Sequence, residues 1–310
     1  AAAAAAASGG TTPTMTTSAV TFGSLRLAPQ RTFVSGNNLT FAAEVNPIFP
    51  GHVILAPLRP VARLADLTDA ELDDLFASVR REQRRLLDAC GDDGDKKVAA
   101  FNVAMKDGAA AGQLPSTHAH VHVVPRRRGD LARNDDIYGL LDAWAPDDGD
   151  DHEPTTLDVP DDAARGPRTE AAMADEARQY VDFAASRQHF NGDPLLSSTF
   201  FRRPPSDAAV RFGPFVINPG QIFYASDLGT LALVNLKPLV PGHVLVVPRR
   251  VVPTLLDLTE DEARDLWRSA RRVHDMVLRY HGKSDATLAV QDGKHAGQSV
   301  PHVHVHILPR

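Results

Sequence analysis

Residues 297–310 read GQSVPHVHVHILPR. Three histidines, His302, His304 and His306, alternate with valines. The chain does nearly the same at residues 117–126, THAHVHVVPR, with His118, His120 and His122. In an extended strand alternate side chains share one face. Each triplet therefore sets three imidazoles on one side, about 6.6 Å between successive ones, with small apolar residues on the other. Of 13 histidines, eight belong to these motifs: the two triplets, plus His52 and His243 in matching PGH turns. The other five, His152, His189, His274, His281 and His295, read as ordinary packed or exposed residues. A lone strand histidine would read that way too, but a repeated triplet with the same upstream turn does not.

The repetition extends outward. PGHVILAPLRP at Pro50 matches PGHVLVVPRRV at Pro241, LTDAELDDLF at Leu67 matches LTEDEARDLW at Leu258, and KDGAAAGQ at Lys106 matches QDGKHAGQ at Gln291. The order is the same each time. The spacing changes only in loops, at GDDGDKK and by one residue between Asp107 and His118, as two copies of one fold require. Each copy reads strand, strand, strand, helix, strand, strand. Thr68 with Glu71, and Thr259 with Glu262, form capping boxes. They open amphipathic helices along Leu67–Phe76–Leu87 and Leu258–Trp267–Val277. Hairpin-like connections and one helix per copy predict an α+β fold with antiparallel sheets. The expected division is a disordered tail (1–19), a first unit (20–144), an acidic disordered linker (145–168), a helix of the first unit (169–188), a joint (189–209) and a second unit (210–310).

Composition excludes several classes. The 310 residues carry a net charge of −6, which argues against broad nucleic-acid binding. Residues 145–164 hold eight acids and no Lys or Arg, the composition of a solvated linker. No apolar run reaches membrane-spanning length, and no Lys or Arg precedes Arg26, so the alanine-rich start lacks the basic opening of a secretory signal. The single cysteine, Cys90, precludes an intrachain disulfide and a Cys-rich metal site, and a reducing, cytoplasmic setting is expected.

Two chemistries suit the triplets. His-x-His on a strand can bind zinc with a third ligand, but no carboxylate or cysteine recurs beside both triplets. Alternatively, an imidazole nitrogen can attack phosphorus and split one difficult step into two. Flanking histidines then fix its tautomer and donate to phosphoryl oxygens.

These residues resemble the histidine triad family. HVHVHILPR and HAHVHVVPR follow its histidine–apolar alternation. LVNLKPLVPGHVLVVPRR, QDGKHAGQSV and, after the first triplet, RRRGDLARNDDIYGLL are similar to the fragile-histidine-triad branch, the dinucleoside polyphosphate hydrolases. The resemblance implies two such units, each a five-stranded antiparallel sheet with helices, paired within one chain as a pseudo-dimer. It implies that His304, and His120 in the first copy, attack the α-phosphorus of a substrate such as diadenosine triphosphate. The support comes from His302, His306 and His243, or from His118, His122 and His52. Gln291, Gln298 and Ser299 then contact the phosphates, Asn235 the ribose, and Phe212, Ile217, Leu233 and Leu245 wall the base pocket. No metal or other cofactor is implied as a ligand, although a divalent cation can accompany the substrate phosphates. The partners implied are a nucleotide substrate and the other half of the same chain, with no membrane and no nucleic acid.

The first copy departs from the pattern. Counting back from His52, Glu44 stands where Asn235 stands; Lys106 stands where Gln291 stands; and QLPSTH replaces QSVPH. Position controls attack geometry, so the second copy is expected to carry most of the activity. A nucleoside phosphoramidase, a nucleotidylyl transferase and a slow-turnover nucleotide-binding signalling module are the alternative readings.

Overall fold

The computed structural model describes residues 14–15, 19–29, 32–35, 39–89, 97–146, 165–186, 200–202 and 210–310. The first half contains β1 (Thr14–Met15), β2 (Val20–Phe22), β3 (Leu25–Leu27), β4 (Thr32–Ser35), β5 (Thr40–Ala43), β6 (Val53–Pro57), α1 (Asp69–Ala89), β7 (Ala100–Asp107), β8 (Val121–Arg126) and α2 (Asp136–Asp142). After α3 (Glu170–Ala185), the second half contains β9 (Val210–Phe212), β10 (Phe215–Ile217), β11 (Ile222–Ala225), β12 (Thr230–Val234), β13 (Val244–Pro248), α4 (Glu260–His281), β14 (Ala286–Asp292) and β15 (Val305–Pro309).

Eleven strands form one sheet in the order β1-β4-β5-β6-β8-β7-β14-β15-β13-β12-β11, every neighbouring pair antiparallel. The hairpins β2-β3 and β9-β10 stand apart from it. Both helices α1 and α4 lie on one face, because their apolar stripes and the valines alternating with the histidines need the same core. Val303, Val305 and Ile307 share that core with Ala119, Val121 and Val123. The opposite face is left to the histidines. Both capping boxes form: the Glu71 and Glu262 amides donate to Thr68 and Thr259 at 3.2 Å, and each carboxylate accepts the threonine amide at 2.9 Å.

The halves meet at β7 and β14. Ala104 lies opposite Ala289, its own repeat counterpart. Phe76 of α1 stacks on its counterpart Trp267 of α4, with centroids 3.6 Å apart and rings 8° from parallel. Residue against counterpart is the signature of packing around a twofold axis. Polar ties cross the same boundary. Gln83 donates to Asp292 at 2.7 Å, Arg268 to Asp73 at 2.6 Å, and Arg63 bridges Asp107 (3.1 Å) and Asp285 (3.0 Å).

Three expectations need correction. The tail 1–19 is not wholly unstructured: Thr14–Met15 add a short edge strand against β4, a backbone pairing that needs no apolar pattern. The helix at 169–188 does not belong to the first unit. It packs on the second, where Tyr180 meets Phe223 at 4.8 Å and Tyr280 at 4.9 Å and bonds His281 Nε2 at 2.9 Å. Its stripe of Met173, Ala177, Tyr180 and Ala184 finds apolar cover there. Finally, only the last histidine of each triplet sits in its strand; His302, His304, His118 and His120 precede the ladder, although the alternation of faces persists. Most of the expected linker and joint lies outside the described residues.

Candidate active site

In the second unit the histidines are locked one by one. His304 Nδ1 lies 2.7 Å from the His302 carbonyl oxygen. A carbonyl only accepts, so Nδ1 carries the proton and Nε2 keeps the lone pair. The Gly213 amide donates to His302 Nδ1 at 3.1 Å, which leaves His302 Nε2–H to donate to the Pro248 carbonyl at 2.8 Å. The Leu239 amide donates to His243 Nδ1 at 3.1 Å, so His243 Nε2–H donates to His306 Nδ1 at 2.9 Å. His306 Nε2 must then carry its proton, and it is buried without a partner. That is a donor awaiting an acceptor. Burial, with few compensating acceptors, holds these rings neutral: it pushes His243 down to about 3 and His302 to about 4, His304 lower than usual and His306 well below the ordinary range. A neutral nucleophile needs this state.

The first unit repeats the arrangement. His120 Nδ1 donates to the His118 carbonyl at 2.9 Å, His118 Nε2 to Pro57 at 2.8 Å, and the Ile48 amide to His52 Nδ1 at 3.0 Å, while His52 Nε2 meets His122 Nδ1 at 3.1 Å. Among the described residues no group of three or more His, Cys, Asp or Glu is arranged to hold a metal ion.

The sequence matches the HIT domain family over residues 27–129 and 217–310. The chain belongs to this family. Within it, it falls in the fragile-histidine-triad branch. It is 51% identical over 121 residues to the bifunctional bis(5'-adenosyl)-triphosphatase/adenylylsulfatase FHIT of Arabidopsis thaliana, covering 38% of this chain and 67% of the relative. It is 52% identical over 99 residues to the bis(5'-adenosyl)-triphosphatase of Dictyostelium discoideum, covering 32% of this chain and 66% of the relative. The chain thus spans about two thirds of the length of each. The crystal structure of the NitFhit protein of Caenorhabditis elegans aligns with 39% identity and a TM-score of 0.34, covering 42% of this chain and 32% of that one.

Around the second HIT triad the apolar wall is assembled: Phe212, Leu233 and Leu245 form one buried cluster with Ile217 against it. The Phe212 ring stands 5.2 Å from His304 and 5.5 Å from His302. The Asn235 amide lies 3.1 Å from His243 Nε2, and its carbonyl accepts the Lys237 amide at 3.0 Å. Gln291 and the exposed Ser299 flank the loop before the triad. Gln298 plays a bracing role instead, its side-chain amide tying that loop to the Pro253 carbonyl at 2.8 Å.

Three residues outside the second unit's own motifs brace its site, Asn102 and Tyr138 from the first unit and Arg168 from the segment before α3. Asn102 of β7 donates to the Ala296 carbonyl at 3.2 Å and accepts from Arg126 at 2.7 Å. The Tyr138 hydroxyl is an electrostatic neighbour of Gln291. Arg168, just before α3, grips the Asn235 carbonyl oxygen. No sequence period marks these residues, because they matter only once the two units are joined.

The first HIT site differs in its surroundings. Ala43 faces Ile54 where Leu233 faces Leu245. Two residues on, Val45 therefore takes the place of Asn235, and Glu44 turns to the exposed opposite side. The correction comes from a connection one residue shorter before the PGH turn, which flips the face of each side chain. Lys106 is buried, and its ammonium binds the Leu141 carbonyl at 2.5 Å and Asp142 at 3.2 Å. It caps the end of α2.

Proposed function

We propose that this chain hydrolyses dinucleoside polyphosphates of the diadenosine triphosphate kind, through a nucleotidyl-histidine formed at the second HIT unit. One observation carries the reading: the His302 carbonyl fixes the His304 tautomer, leaving a neutral Nε2 lone pair beside an apolar pocket and a Gln/Ser-bearing loop. His304 Nε2 attacks the α-phosphorus as the remaining phosphate chain leaves. Water then cleaves the N–P bond and releases the mononucleotide. The His306 Nε2–H, buried and unpartnered, donates to the phosphoryl oxygen as charge builds there. Asn235 serves the ribose, Gln291 and Ser299 the phosphates, and Phe212, Ile217, Leu233 and Leu245 the base. Pairing of the units within one chain, which the β7–β14 ladder supports, stands in for a dimer. The names of the Arabidopsis and Dictyostelium relatives agree with this substrate class.

The test is hydrolysis of diadenosine tri- and tetraphosphate beside an adenosine phosphoramidate, with mass spectrometry of acid-quenched enzyme. Preferred turnover of a dinucleotide and an adenylyl mass on the His304 peptide are expected. Preference for the phosphoramidate, or no covalent adduct with any substrate, defeats the proposal. Turnover slower than nucleotide release would favour a signalling module instead.

A further inference from the structure

Trp144 follows α2 and is buried at 5% exposure, yet it lies on the histidines of the first HIT unit. Its ring stands 4.6 Å from His122, 5.7 Å from His120 and 6.3 Å from His52. The indole N–H donates to the Asn46 carbonyl at 2.8 Å, and the Asn46 amide donates to the Ala145 carbonyl at 2.9 Å. The segment is thus latched in both directions. The indole also shares a cluster with Phe22, Leu27, Ala43 and Ile54, the counterparts of Phe212, Ile217, Leu233 and Leu245. Beneath it, His120 Nε2 is buried with no hydrogen-bond partner. The Nδ1 bond to His118 makes this the lone-pair nitrogen. A buried acceptor left unsatisfied is costly, and here an aromatic ring covers it where a polar ligand would serve it. The second unit differs. Among the described residues the ring neighbours of His304 are Phe212 and His306, and Arg168 donates to the Asn235 main-chain carbonyl at 3.0 Å.

We propose that the first HIT unit, its triad and apolar wall intact, is a nucleoside-phosphate site held shut by Trp144, whose indole stands where the nucleotide would lie against His120. The inference rests on the nucleotide-hydrolase reading of the second unit. A ligand for the first site must expel the indole and break both Asn46 bonds, so its affinity falls by the fraction of time the site is open. The apolar wall and the triad persist beneath the cover.

Calorimetric titration with a methylene-bridged, non-hydrolysable diadenosine triphosphate tests this on the full chain. The wild type is expected to bind one equivalent, and Trp144→Ala and Trp144→Leu two. With diadenosine triphosphate itself as substrate, Trp144→Ala in a His304→Ala background is expected to form an adenylyl adduct on His120, the ADP portion leaving, that His304→Ala alone lacks. Turnover through His304 reports correct folding of each Trp144 variant, and the leucine variant fills part of the volume should alanine destabilise the unit. One equivalent in both folded Trp144 variants, or two in the wild type, overturns the proposal while leaving the second site's function standing. Zero equivalents throughout overturns both.

Discussion

The two HIT sites share their internal hydrogen bonds and their apolar wall and differ in what lies over them. Nδ1 of the central histidine reaches its carbonyl at 2.9 Å in the first site and 2.7 Å in the second; the outer histidine reaches its proline carbonyl at 2.8 Å in both. Those bonds are set by strand register and by the PGH turn, which both copies retain. The surroundings come from loops, from α2 and from the segment before α3, where one deleted residue or one tryptophan changes the outcome. The second site leaves His304 at 4% exposure, while His120 keeps 1%. On the proposed mechanism an intact triad supplies the nucleophile, and the residues over it decide whether a substrate reaches it.

The largest expected effect tests this contrast directly. His304→Ala should lower turnover by about 10⁴-fold or more, since it removes the two-step route, while His120→Ala should cost less than about twofold. Steady-state assays of the two variants in parallel decide it; equal losses would make the sites equivalent.

Next comes the joint that lets one unit serve the other. Trp267→Ala removes an aromatic ring buried at 4% exposure and should cost about 3–5 kcal/mol, a fall of roughly 10 °C in melting temperature. An unchanged melt would mean that the stack contributes little to holding the units together.

A smaller effect distinguishes the two ends of that joint by pH. His274 of α4 is buried between Asp107 at 3.0 Å and Asp275 at 2.8 Å; the Asp107 contact has ion-pair distance without hydrogen-bond alignment. Burial alone would lower its pKa, but the two carboxylates prevail and raise it from 6.5 to about 9. A folded-state value above the unfolded one means that the protonated ring stabilises the fold fully below about pH 6.5. That contribution is lost as pH climbs through about 9, a difference of the order of 3 kcal/mol at most. The counterpart position holds Gln83, which does not titrate. His274→Gln should therefore flatten the decline in melting temperature between pH 6.5 and 9, measured by scanning calorimetry.

The smallest effect asks whether the first unit supports the second at its phosphate loop. Asn102→Ala removes the bond to Ala296 and one partner of Arg126, and should cost about 1–1.5 kcal/mol, a roughly tenfold loss in kcat/KM carried mostly by KM. Loss of the melt with unchanged kinetics in the surviving folded protein would assign Asn102 to stability alone.

Much of this was legible in the sequence. Alternating histidines and valines announced one histidine face and one core face, and the Thr–Glu pairs marked the helix starts. The resemblance to the histidine triad family implied that the PGH histidine joins each cluster. Glu44 shows the limit. Counting from a motif locates a residue along the chain, but its face depends on pairing across the sheet, and a one-residue deletion reverses it. α3 shows another: an amphipathic stripe announces that a helix packs, without naming the surface that receives it. Trp144 carried no period at all. Its one signal was being one of two tryptophans in the chain, outside every repeated motif.

The stack of Phe76 on Trp267 has a meaning for how this protein can change. In a homodimer one codon writes both sides of the twofold axis, so any substitution there arrives twice and must fit against itself. Here two codons write the two sides, and a phenylalanine faces a tryptophan. Once joined in one reading frame, each side of the axis is free to mutate alone. One half can drift toward closure and support while the other stays under selection for turnover.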